Sequence, residues 1–93
     1  MSAQVSDIQE TLEARGKGYG KFSQQAQYSQ NLKSCARNTQ GWERLEPFQA
    51  EALDMILHKI ARILNGNPNN IDSWHDIAGY ASLVENKLRG IDI

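Results

Sequence analysis

The chain has 93 residues, a formal net charge of −1, 40% apolar residues and a single cysteine. A chain of this length supports one domain with a modest core, and its one thiol excludes an internal disulfide. Near-neutral charge excludes nucleic-acid binding through bulk electrostatics, which needs a basic excess, but leaves room for a local phosphate pocket. The opening residues show no cationic and apolar signal pattern, and no run approaches the ~20 apolar residues of a membrane span. A soluble, cytoplasmic protein without membrane contact is expected. Helix contacts between copies in a homo-oligomer would supplement so small a core.

Ser6 to Arg15 reads as a first helix. Ser6 serves as N-cap with Gln9 three residues on, Val5 stands at the staple position, and Ile8 and Leu12 form an i, i+4 apolar pair. Gly16 is the expected stop. Gly16-Lys17-Gly18-Tyr19-Gly20-Lys21 follows, in which glycines would let backbone amides approach an anion beside two lysines. The spacing is not that of a P-loop and no strand precedes it, so a flexible connection is the simpler reading.

Phe22 to about Arg37 forms a second predicted helix. Tyr28, Leu32, Cys35 and Ala36 make its apolar stripe, extended by Phe22 and Ala26, and Cys35 is expected to be buried. Asn38 to Glu46 is a connection anchored by Trp42 and Leu45. The third helix begins at Pro47, which suits N1, and ends at Asn65-Gly66 before Pro68. Its Leu53, Ile56, Leu57, Ile60, Ile63 and Leu64 fall in one arc at ~100° per residue. The fourth starts at a cap on Asp72 or Ser73 and runs to Leu88. Ile77, Ala81, Val84 and Leu88 form its inner seam, Trp74 and Ala78 flank it, and Gly90 closes it. No segment alternates as a strand does. The expected fold is one all-α domain over residues 1–93, a small bundle of about four helices built around a C-terminal antiparallel αα-hairpin.

The polar stripes of that hairpin carry the candidate chemistry. On the third helix Glu51, Asp54, His58 and Arg62 lie at offsets 0, 3, 7 and 11, opposite the apolar arc, with Lys59 at the border. On the fourth, Asp72, His75, Asp76 and Gly79 share a face, with Tyr80 at its edge. Folding back about the Asn67–Asn70 turn brings Arg62 near Asp72 and His58 and Lys59 near Asp76. Glu51 and Asp54 then lie opposite Ala81 to Val84.

Two readings stand. Carboxylates on neighbouring helices suit Mg²⁺, which takes one or two of them plus water and substrate phosphates, with lysine and arginine stabilising phosphate charge. Metal ligands would be Glu51, Asp54, Asp72 and Asp76; Lys59, Arg62 and Tyr80 would hold substrate. The structural reading gives Asp72 or Ser73 to capping, Asp76 to an interhelical ion pair, and Glu51 and Asp54 to the helix dipole. Caps do not account for Lys59, Arg62 or Asp76. His58 and His75 would need close convergence to bind zinc. Cys35 has no histidine nearby, and no serine sits in a nucleophile elbow.

Several strings resemble a family of small phage and prophage proteins: Glu13 to Gly16 with Tyr19-Gly20, Ala52 to Ile56, His58 to Arg62, and Asp72 to Ala81. The likeness spans nearly the whole chain and implies a phage or prophage origin, without bringing an activity. More distantly, the chain resembles the MazG-type nucleoside triphosphate pyrophosphohydrolases, Mg²⁺-dependent helical oligomers with Glu-x-x-Glu and Glu-x-x-Asp pairs. Glu51 and Asp54 match the first pair and Asp76 the last aspartate. Ser73 stands where the second glutamate belongs, and Asp72 lies four residues before Asp76.

The resemblance implies a protein that binds or cleaves a nucleoside polyphosphate with Mg²⁺. The alternative is a non-catalytic helical module that binds a host or phage protein through Trp42, Trp74 and Tyr80. Nucleic-acid contact through Arg15, Lys17, Lys21, Lys33 and Arg37 is a third option, which the net charge opposes.

Overall fold

The computed structural model describes the backbone of residues 3–93 and the side chains of residues 7–93. Its elements are α1 (Ala3–Tyr19), α2 (Phe22–Arg37), a 3-10 turn (Gln40–Arg44), α3 (Pro47–Asn65) and α4 (Ile71–Leu88). The all-α expectation holds: among the described residues there is no strand, and α3 and α4 pack as an antiparallel hairpin. No helix is long and apolar enough to cross a membrane among the described residues.

The helix ends follow local chemistry. Glu46 and Gln49 form a reciprocal capping box ahead of Pro47, with the Glu46 amide donating to Gln49 Oε1 at 2.9 Å. Thr39 Oγ1 caps the 3-10 turn by accepting from the Trp42 amide at 3.3 Å. α4 is capped by Asn70, whose Oδ1 accepts from the Asp72 amide at 3.0 Å, and not by Asp72 or Ser73. α1 begins before Ser6, so Ser6 lies inside the helix; the side chains of Val5 and Ser6 fall outside the described residues. Gly16 does not stop α1. The helix runs on to Tyr19 and ends where Gly20 adopts φ 78°, its amide bonded to Gly16 O at 2.9 Å.

α3 is the central helix. α4 packs on one side and α2 on the other, while α2 and α4 form no packed pair of their own among the described residues. The only buried apolar residues among the described ones are Ala52 and Ala61. Nine positions apart, they point to opposite sides of α3. Ala52 lines a cavity together with Tyr80 and Val84 of α4, and Ala61 lies on the side of Asp54, which pairs with Arg37 of α2. Small side chains thus mark both seams. Ser73 of α4 and Gln25 and Ser29 of α2 are the other buried residues, and they too are polar or small.

This corrects the predicted core. Only the edges of the Leu53–Leu64 arc reach the seams, Ile56 and Ile63 beside Ala52 and Leu57 beside Ala61; its middle lies between them, with Leu53 exposed, Leu64 64% exposed, and the rest half-buried. In α4, Ile77 and Val84 are half-buried, whereas Ala81 is exposed, Leu88 is 66% exposed and Trp74 54%. In α2 the inward line runs through Gln25 and Ser29, leaving Phe22, Tyr28 and Cys35 exposed. The result is a single layer of three helices with α1 extending from it. The chain measures 49 × 29 × 27 Å with a Cα radius of gyration of 16.0 Å. A compact chain of this length would have about 12 Å.

Candidate functional site

The hairpin register fixes where the acidic residues stand. Lys59 Nζ meets Asp76 Oδ2 at 3.0 Å, with the lysine side chain only 12% exposed. Its hydrogen bond, and then its charge, hold the Asp76 carboxyl below the ordinary carboxylate range. With Lys59 opposite Asp76, antiparallel packing puts Glu51 opposite Val84 and Asp72 opposite Ile63. Asp54 therefore lies ~7.5 Å along the axis from Asp76, and Glu51 ~18 Å from Asp72, at 1.5 Å per residue. Mg²⁺ needs its oxygens at about 2.1 Å.

The remaining acids have other surroundings. Arg37 Nη2 reaches both oxygens of Asp54 at 2.9 Å, and its guanidinium lies 5.5 Å from the Trp42 ring centroid. Glu51 lines a cavity of about 240 Å³ with Phe48, Tyr80 and Lys87. Asp72 is exposed in the first turn of α4. Among the described residues no three His, Cys, Asp or Glu side chains come together as a metal-holding group. The four predicted ligands do not fit one Mg²⁺ ion within this chain. Nor do the predicted substrate residues meet in one cavity. Lys59 is engaged by Asp76, Tyr80 borders depressions along α4, and Arg62 faces elsewhere.

Arg62 lines a cavity of about 720 Å³ between the end of α1, the start of α2 and the middle of α3. Arg15, Lys21 and His58 line it too, with Tyr19 and Phe22 as aromatic walls, and no Asp or Glu is in its lining. The Arg62 guanidinium lies 4.8 Å from the Tyr19 ring centroid, a cation–π distance. Its Nε is buried and has no hydrogen-bond partner. Burial first, then the charges of Arg62, Lys33 and Lys59, push the His58 pKa down, so the imidazole resists protonation. At the same cavity α2 starts without a side-chain cap: Lys21 holds the N-cap position, and its neighbours Phe22 and Ser23 line the wall. The free first-turn amides of a helix attract anions.

The glycine-rich connection walls this cavity and is docked on α3 and the turn that follows it. Asn65 Nδ2 donates to Tyr19 O at 2.7 Å and Lys21 O at 2.9 Å, and the Asn67 amide donates to Gly18 O at 3.0 Å. A Cβ on Gly20 would overlap the Asn65 carbonyl oxygen, and one on Gly66 would overlap Gly18 O. Glycine at both positions permits two backbones to touch. The Gly16–Lys21 run had carried a phosphate reading beside the simpler one. The sequence signal for this docking is Asn65-Gly66, which is more than a helix stop: Asn65 holds the connection, and Gly66 admits its backbone.

A profile of a domain of unknown function, DUF6378, matches residues 7–88. The chain belongs to the DUF6378 family. The match takes in α2, α3 and α4 whole, together with Asp7 to Tyr19 of α1, so every residue lining the cavity lies within the DUF6378 domain. No curated protein and no solved structure matches the chain.

Proposed function

We propose that this DUF6378 protein binds a nucleoside polyphosphate, or a phosphorylated ligand of like charge, in the cavity between α1, α2 and α3. The observation that carries the reading is Arg62, whose Nε is buried without a partner in a cavity that also holds Arg15 and Lys21 and no carboxylate. A buried donor left unpaired costs roughly 1–3 kcal/mol, which an anionic oxygen would recover. Uncapped amides at the start of α2 add donors for phosphate, and Phe22, 77% exposed, offers a flat apolar surface for a base. The resemblance to MazG-type proteins supports nucleotide as the ligand. The likeness to phage and prophage proteins supports a role in nucleotide handling in an infected cell's cytoplasm. Binding is the reading; the separation of Glu51 and Asp54 from Asp72 and Asp76 supplies no hydrolytic site in one chain.

Isothermal titration calorimetry with ATP, pyrophosphate and adenosine tests this. ATP and pyrophosphate should bind and adenosine alone should not. Arg62→Gln should weaken ATP by ~10- to 100-fold, the value of one charge-assisted hydrogen bond at ~1.5–3 kcal/mol. Lys59→Gln, whose ammonium faces Asp76, should leave affinity within about twofold, since the altered charge lies outside the cavity. The absence of heat with ATP and pyrophosphate at millimolar concentration would remove the proposal.

A further inference from the structure

Ala52 facing α4 and Ala61 facing α2 divide the rest of α3 into two faces. Glu51, His58 and Arg62 fall on one, and Leu53, Ile56, Leu57, Ile60 and Leu64 on the other. The first face carries the cationic cavity. Over the second, no described element packs, although it is the apolar stripe that an amphipathic helix normally buries.

The neighbouring helices extend the same face. Leu83 and Lys87 of α4 line a cavity with Glu51, so they lie on the polar side; Trp74 and Leu88, on the opposite side of α4, join the apolar one. Tyr28 and Leu32 of α2 meet Leu64 in one shallow depression. The α2–α3–α4 layer thus has an apolar face to which α3 contributes no charged side chain, with the Glu85–Arg89 ion pair of α4 on its rim.

The surface area of the whole chain is larger than a compact monomer's. The accessible surface is 6920 Å². A compact monomer of 10.5 kDa would expose about 5,400 Å². The excess, roughly 1,500 Å², is shared between this face and the extended α1, and it is about twice the ~800 Å² that each partner buries in a standard complex.

We propose that a second copy of this chain packs face to face on the apolar side of the layer, related by a two-fold axis, to make a two-layer bundle of six helices. Stable helical domains have two packed layers, and this chain supplies one. A two-fold axis lets one apolar patch cover its own copy. The small net charge of −1 sets up little repulsion between copies, and the uncharged α3 stripe buries no ion. The cationic cavity remains open on the outer face of each layer.

Sedimentation equilibrium of the full chain at tens of micromolar should give twice the mass of one copy. Leu53→Glu/Leu64→Glu should sediment as a monomer. Leu83→Glu, on the opposite face, should stay dimeric. A monomeric wild type would overturn the proposal and leave the face to a different protein. So would a dimer that survives Leu53→Glu/Leu64→Glu, or one lost in Leu83→Glu. Because the double variant can fail to fold, Trp42→Phe provides a second readout with Trp74 as sole tryptophan. Its emission should shift to the red on dilution through dissociation, and unchanged emission while the mass halves would equally overturn the proposal.

Discussion

A methyl group at Gly20 tests whether the α1–α2 connection is docked on α3 as the cavity requires. Gly20 has φ 78°, a conformation that costs an L-residue ~1–2 kcal/mol. Its Cβ would also overlap the Asn65 carbonyl oxygen and crowd the Asn65 side chain. Asn65 would have to move, losing its bonds to the Tyr19 and Lys21 carbonyls at 2.7 and 2.9 Å, each worth a net ~1 kcal/mol. The sum is roughly 3–4 kcal/mol. At ~0.2 kcal/mol per degree for a chain of this length, that is a fall of ~15–20 °C in Tm if the chain unfolds as one unit. The fall is smaller if the connection lets go first, because the loss then stops at the docking free energy. Gly16→Ala is the matched control. Gly16 is helical, and a Cβ there meets nothing within 4 Å, so alanine should add ~0.5–1 kcal/mol and raise Tm by ~3–5 °C. Circular dichroism melts at one fixed protein concentration, with hydrogen exchange followed at Tyr19 to Lys21, read both effects. The reasoning is refuted if Gly20→Ala melts at or above wild type, or if its exchange at those amides is unchanged.

The other expectations concern the seams and the titrating groups. Ala61 has no exposed surface, so Ala61→Leu should overpack the α2–α3 seam and cost ~1–3 kcal/mol in urea unfolding. Asp76 is held below the ordinary carboxylate range by Lys59. The stability this contributes is complete above the unfolded value of ~4 and is lost as pH falls through the lower folded value, so Asp76→Asn should flatten the acid limb of a Tm–pH curve. His58 is lowered by burial and then by Arg62, Lys33 and Lys59. Its folded form therefore resists protonation, and the associated stability is complete above ~6.5 and lost as pH falls through the folded value. A bound anion offsets those cations. Affinity for sulfate, which does not titrate in this range, should rise between pH 7.5 and 6 in the wild type and stay flat in His58→Asn.

The helices and most of their boundaries were legible because they depend on neighbours in sequence. Pro47 at N1, the Asn65-Gly66 stop and the apolar period of α3 are local statements, and each describes the folded chain. Which side of a helix is buried is not a local matter. Periodicity located the Leu53–Leu64 arc correctly but assigned it to the hairpin seam, whereas Ala52, Ala61 and Ser73 occupy the seams. Small residues let helix axes approach closely, and a hydrophobic period cannot show that a neighbour will choose them over leucine. In α2 the same cause put Gln25 and Ser29 inward, against the apolar stripe.

The candidate site divides along the same line. Placing Lys59 opposite Asp76 needed only the antiparallel register, and that pair was legible. The same register separates the acidic pairs: a hairpin that joins Lys59 to Asp76 must hold Glu51 near Val84 and Asp72 near Ile63. Spacing along one helix carries no information on how far the hairpin separates an acidic pair from the pair on its neighbour. The Arg62 cavity was hidden for a different reason. Its parts, Arg15 to Lys21 and His58 to Arg62, are some 40 residues apart and meet through backbone contacts that only Gly20 and Gly66 permit. The polar stripe of α3 is therefore two environments: an acidic start bound up with α2 and α4, and a cationic end facing a cavity without a counter-charge. A phosphorylated ligand suits the second environment; in the first, the cations Arg37 and Lys59 are already engaged by Asp54 and Asp76.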